Sequence, residues 1–388
     1  MTDRAFSVRT PGELSAEIKR LAQEVGLAVA AITTADPFPH LAEILNDRID
    51  SGRLTGMDWF THDRSIVSAN PRMLHDRAAS IISVGIPYFR NDIAKPDDGI
   101  KRGRIARYAW GIDYHRTLKR RMTELQERIE QLVGRSVDVR ILTDTARIVD
   151  RAVAARSGLG WYGKHTNIIV PGHGSFVMLG EILIDIELTP DTPLGRDCGH
   201  CRICLDRCPT GAIVAPYTVH SPLCISFQTI ENRGMIPIDV RPLMGDWVFG
   251  CDVCQDVCPY TGAARSMYDD AFRPPTVDHA FPSLGWLLTM SESEFRSVFR
   301  RSAVLRTKRA GLARNAAIAL GNCGDVGDLP VLVAALESHD QSLVRAHIAW
   351  AIGRIGGGAA RTALAASAKQ DPTELVRTEC IVALDMTS

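Results

Sequence analysis

The sequence predicts an α/β domain, then a small cysteine-rich module, then an all-α tail of helical repeats. Three observations predict this. Helical and strand-like apolar patterns alternate over the first part of the chain, eight of the ten cysteines fall between Cys198 and Cys258, and beyond a proline-rich connection the apolar positions recur at a fixed interval. The expected boundaries are 1–190, 191–270 and 283–388. A chain of 388 residues is long enough for two or three domains with full cores.

Lys and Arg number 45 and Asp and Glu 45, so the formal charge is zero and no global field draws the chain to nucleic acid or to a membrane. Any polyanion site must come from local clustering. The N-terminal stretch through Gly26 has acidic residues and no apolar core of signal-peptide type, and no uninterrupted apolar run is long enough to span a bilayer. The expectation is a soluble, cytoplasmic protein without a membrane partner. One self-contained chain suggests a monomer.

Taken in order, Leu14, Ile18, Leu21 and Val25 recur at helical spacing over 12–25, with Gly26 as the stop. Leu27 to Thr33 reads as a strand, and a second helix at about 40–52 leads into Gly56-Met57-Asp58-Trp59-Phe60. Ile81 to Tyr88 is an apolar strand, followed by a polar loop from Arg90 to Gly103. The stretch from Arg107 and Tyr108 to His115 interleaves rings with charges. It suits a flat ligand with polar substituents, and equally a helix started by Asp113 with its aromatics in the core.

Val137 to Leu142 reads as a strand that delivers Asp144 to its end, before a helix through Arg147, Asp150, Arg151 and Arg156. Such an acid is commonly a helix cap, so a functional role has to come from its surroundings. Next comes Gly158-Leu159-Gly160-Trp161-Tyr162-Gly163-Lys164-His165-Thr166-Asn167, then the strands Ile168 to Val170 and Phe176 to Ile186. Closely spaced glycines let backbone amides approach a bulky ligand, but the spacing matches no phosphate-binding loop.

The cysteine module reads Cys198-x2-Cys201-x2-Cys204-x3-Cys208-Pro209 and Cys251-x2-Cys254-x3-Cys258-Pro259, with Cys224 between. This is the pattern of a two-cluster ferredoxin module, in which the cysteine before proline serves the other cluster. One 4Fe-4S cluster is therefore assigned to Cys198, Cys201, Cys204 and Cys258. Its neighbour takes Cys208, Cys251 and Cys254, and because Val248 occupies the position of the missing ligand, Cys224 must supply it from a longer loop. Structural zinc would show two separated ligand pairs, and a disulfide framework belongs to small secreted chains.

In the tail, Leu312, Val344 and Val376 stand 32 apart, as do Leu320, Ile352 and Leu384, with Arg345 and Arg377 also in register. This is a repeat of helical pairs close to the HEAT type. From Arg296 to Arg314 there are basic residues and no acidic one. The run is either a solvated face or a set of phosphate contacts.

The motifs from Gly158 to Asn167 and from Cys224 to Glu231, joined to the cysteine groups and the helical tail, resemble the epoxyqueuosine reductases over nearly the whole chain. The resemblance implies an α/β cobalamin-binding domain carrying two 4Fe-4S clusters, fed by an external low-potential donor such as ferredoxin or flavodoxin. It implies reduction of epoxyqueuosine to queuosine at the wobble position of tRNA, with Asp144 as proton donor beside a cobalamin that has no lower side-chain ligand. An aspartate covered by corrin and apolar walls would hold its proton toward neutrality. The expected cofactor contacts are Met57, Arg107, Tyr108, Arg151, Lys164, His165, Asn167, Ile168, Ser226 and Gln228. The expected RNA contacts are Arg296, Arg300, Arg301, Lys308, Arg309 and Arg345, gripping the anticodon stem-loop. The alternatives are a reductive dehalogenase-like enzyme acting on a small molecule and a plain electron-transfer ferredoxin on a scaffold. Binding of the stem-loop and of corrin separates them.

Overall fold

The computed structural model describes residues 10–262, 264 and 269–387. The first nine residues, part of the stretch examined for a signal peptide, lie outside the described residues. The N-terminal domain is built on a four-stranded sheet of β1 (Val29–Thr34), β2 (Ser80–Pro87), β3 (Val139–Thr143) and β4 (Val177–Ile184), in the order β1-β2-β4-β3. Every pairing is antiparallel. The expected α/β alternation of elements is present, yet the sheet is of the α+β kind. Alternation decides which elements form but not at which end of the sheet each connection re-enters; here β1 to β2 and β3 to β4 reverse direction, while β2 and β3 run the same way on either side of β4.

Both faces of the sheet are covered. Helices α1 (Pro11–Glu24) and α2 (Tyr114–Val133) pack on one face, where Ile18, Leu118, Met122, Ile182 and Ile184 form a core. Thr10 caps α1 through a capping box with Glu13, and Asp113 caps α2 by accepting from the His115 amide. The other face carries α3 (Asp150–Arg156), whose Val153 packs on Ile81, Leu142 and Leu183. Asp144 caps nothing. The turn after β3 runs on to Val149, and α3 starts only at Asp150, with no side-chain cap.

The cysteine module is pinned to this domain by a short parallel pairing of Trp247–Phe249 with Arg104–Ile105. The proline-rich stretch from Phe272 to Pro282 is a packed connection, since Phe272, Ala280 and Phe281 are buried. Helices Lys308–Cys323, Ser342–Ile355 and Glu374–Asp385 then stack in series. The residues spaced by 32, Leu312, Val344 and Val376, form their common buried seam. Arg314 is fully buried and donates to the carbonyls of Gln228, Asn232 and Gly234, locking the first repeat helix to the module. No described helix is long and apolar enough to cross a membrane.

Candidate active site

A cavity of about 1870 Å³ opens between the N-terminal domain, the cysteine module and the start of the repeats. Drug-sized ligands occupy roughly 300–1,000 Å³, so it suits something larger. Its apolar wall includes Leu45, Met57, Ile148, Ile168 and Leu179. Among the expected cofactor contacts, Met57, Tyr108, Arg151, His165, Asn167, Ile168 and Ser226 line it.

Asp144 stands on this wall with half of its side chain exposed. It accepts a hydrogen bond from the Tyr114 hydroxyl at 2.5 Å, and His115 Nε2 lies 3.7 Å from the same carboxylate. Asp113 both caps α2 and holds His115 Nδ1 at 2.8 Å, so the helix start aims Tyr114 and His115 together. Burial, and then the nearby charge of Asp144, pushes the Tyr114 phenol far up, so it remains a donor at any physiological pH. Tyr114 and His115 belong to the stretch that suited a flat ligand, but neither was named among the expected contacts. The Asp113 cap was legible, but not which way the first helical turn faces.

The glycine loop shapes a second wall. A Cβ on Gly163 would come within 2.5 Å of the His165 ring, so glycine is what lets that ring fold under the loop. The imidazole is buried and its pKa falls to about 4, because desolvation disfavours the cation. Its Nδ1 accepts from the Asn167 amide, which leaves Nε2 as a buried donor without a protein partner. Arg151 is tied to Thr166 rather than to Asp144, donating to its carbonyl and hydroxyl.

The cysteines gather in two sets. Cys208, Cys224, Cys251 and Cys254 lie on the wall of the large cavity, whereas Cys198, Cys201, Cys204 and Cys258 surround a small space of their own. Burial pushes the thiols of Cys224, Cys251 and Cys254 up, and their mutual repulsion adds to this in Cys254. Such buried thiolates need bound positive charge. Among the described residues no three such groups converge tightly enough to hold a single metal ion. Four cysteines spaced around a shared volume instead fit a cubane.

Family models match a 4Fe-4S double cluster binding domain over residues 197–261, epoxyqueuosine reductase QueG, DUF1730 over 69–145, and HEAT repeats over 300–385. The epoxyqueuosine reductase of Shigella dysenteriae is 39% identical over 88% of this chain and 89% of its own. That of Staphylococcus aureus is 35% identical over 96% of this chain and 97% of its own. The chain belongs to the epoxyqueuosine reductase family. A crystal structure of a selenomethionine-labelled epoxyqueuosine reductase superposes with a TM-score of 0.90 at 30% identity, covering 97% of this chain and 99% of that one. Another, an epoxyqueuosine reductase with an epoxyqueuosine-modified tRNA-Tyr stem loop, superposes at 0.89 and 30%, covering 96% and 98%.

The residues of this chain fit the cobalamin that the resemblance implies. The cavity has the size, and His165 Nε2, unpartnered among the described residues, offers a polar contact to an amide arm. Three expected contacts need correction. Arg107 is not on the cavity lining and is committed to ion pairs with Asp252 and Asp256, at 3.0 and 2.9 Å. Lys164 donates to the carbonyls of Gly199 and Cys201, which places it on the outer cysteine loop. Gln228 is buried and bonded to Pro222 and Asn232.

The basic residues divide as well. Arg300 and Arg301 are exposed and line the cavity mouth, and Lys308 is exposed nearby; among the described residues these three have no acidic partner. Arg296 is exposed but paired with Glu292 one turn back. Arg309 is held by Asp340 at 2.6 Å. Arg345 is buried, paired with Asp371 and donating to the His339 carbonyl, while Arg377 donates in the same way to the Asp371 carbonyl. These two arginines share a register because each clamps the turn before its own helix. That commitment removes Arg345 from the expected RNA contacts.

Proposed function

We propose that this protein reduces epoxyqueuosine to queuosine at the wobble position of tRNA, within the cavity between its three parts. The observation that carries the proposal is the placement of Asp144 and one set of four cysteines on walls of the same cavity, with unpaired arginines at its mouth. In this reading residues 1–190 hold cobalamin, 191–270 hold two 4Fe-4S clusters, and 283–388 grip the anticodon stem-loop. Bound cobalamin would supply the low-potential cobalt centre needed for a two-electron reduction.

The chain's own residues divide the remaining work. Cys198, Cys201, Cys204 and Cys258 would hold one 4Fe-4S cluster and Cys208, Cys224, Cys251 and Cys254 the other, and these would supply the cavity with electrons from an external ferredoxin or flavodoxin. Arg300, Arg301 and Lys308 hold phosphates, so that an extruded wobble base enters the cavity. Asp144, aimed by Tyr114, gives a proton to the leaving epoxide oxygen. His165 stays neutral and frames the cofactor. The protein acts in the cytoplasm as a monomer.

The test is anaerobic turnover of reconstituted protein on tRNA carrying epoxyqueuosine, read by nucleoside mass spectrometry. Queuosine should form only with cobalamin and both clusters present. Turnover without corrin, or no queuosine from the fully loaded protein, would overturn the reading.

A further inference from the structure

Behind Asp144 lies a second acidic group that the reaction as described does not use. Glu181 sits in the middle of β4, 0% exposed, directly opposite Ser83 of β2 and Leu142 of β3. Directly opposed residues share a face of an antiparallel sheet, here the face under α3. Among the described residues no donor group bonds either carboxylate oxygen of Glu181 or Oδ1 of Asp150, all of them buried, and the buried Ser83 hydroxyl has no partner. The Asp150 and Glu181 carboxyls are hydrogen-bond neighbours of each other.

Two carboxylates cannot hydrogen-bond unless one carries a proton, and two bare charges in this apolar layer would be very costly. A proton shared between them gives each carboxyl a partner. The surrounding charges are mixed. Arg151 and Arg64 favour ionisation of Asp150, whereas burial and the charge of Asp144 oppose it. Tyr162 also faces Asp150, and Ser83 and Leu142, across the sheet from Glu181, carry no charge. The balance favours the proton, because burial is the largest influence on both carboxyls.

The position of the pair suits a proton store. Asp150 lines the same cavity as Asp144, and Glu181 and Ser83 stand behind it in the sheet. Reducing an epoxide to an alkene breaks both C–O bonds, forms the C=C bond and releases the oxygen as water. It takes two electrons from the external donor and two protons. Asp144 holds one proton at a time, so it must be refilled within the turnover.

We infer that Asp150 and Glu181 form a buried carboxyl pair that shares one proton and returns it to Asp144 during each turnover. This rests on Asp144 being the proton donor. Infrared difference spectra of the full chain, with Glu181→Gln and Asp150→Asn as isosteric controls, test the pair without turnover. At neutral pH the wild type should show the carbonyl stretch of a protonated carboxyl, and each variant should lose it. Absence of the band in the wild type, or its persistence in both variants, would overturn the inference; the wild-type spectrum keeps the test decisive even if a variant fails to fold.

Single-turnover kinetics of the loaded enzyme give the second arm. Glu181→Gln should bind the stem-loop normally yet turn over at least tenfold more slowly, with a proton inventory changed from the wild type. Wild-type rate and inventory in both variants, while Asp144→Asn is inactive, would sink the store and leave the donor standing. An active Asp144→Asn would instead remove the donor assignment.

Discussion

The Tyr114 hydroxyl donates to the Asp144 carboxylate at 2.5 Å, joining the first turn of α2 to the turn after β3. Hydrogen bonds to charged groups contribute about 1.5–3 kcal/mol, which in a barrier corresponds to roughly 10–100-fold in rate. Tyr114→Phe should therefore slow single-turnover queuosine formation by that order, with corrin content and stem-loop affinity unchanged. A wild-type rate would show that Asp144 is aimed by something else.

Cys224 lines the large cavity with Cys208, Cys251 and Cys254, apart from the other four cysteines. Cys224→Ala should cost the inner cluster and spare the outer one. Iron analysis would show half the wild-type content, and paramagnetic resonance of the reduced protein would lose the signature of coupling between two clusters. Retention of both clusters would mean that another group completes the inner set.

Arg300 and Arg301 line the cavity and have no acidic partner among the described residues, whereas Arg345 is buried in a clamp with Asp371. Each phosphate contact removed should lower the slope of log affinity against log salt by about 0.7–0.9. Arg300→Ala and Arg301→Ala should each reduce the slope by that amount in stem-loop titrations. Arg345→Ala should leave it unchanged and lower the melting temperature, because it strands Asp371. A salt-slope change in Arg345→Ala would return that residue to the interface.

The acid pair makes stability depend on pH. Burial pushes Asp150 up to about 7 and Glu181 higher than its ordinary value. The folded state therefore holds a proton that the unfolded chain releases above the ordinary carboxyl range near 4, and stability falls as pH rises through that interval. Asp150→Asn should flatten the decline between about pH 4 and 7, read as melting temperature against pH. An unchanged slope would mean that the pair is not protonated in the folded protein.

What the sequence determined by itself was set by local spacing. Apolar periodicity specified α1 and the four strands to within a few residues, the Cys-x2-Cys runs with Val248 assigned two sets of four ligands, and the interval of 32 located the buried seam of the repeats. Each of these properties is expressed within a few turns of chain, so neighbouring residues are enough to reveal it. The tertiary structure decided what depends on contacts between distant segments. The direction of the strands set Ser83 opposite Glu181, and the packing of α3 over β4 put Asp150 beside that carboxyl. The same contacts separated the free arginines from those neutralised by Asp340 and Asp371, because a charge run shows its sign in sequence while its partners come from elsewhere in the fold.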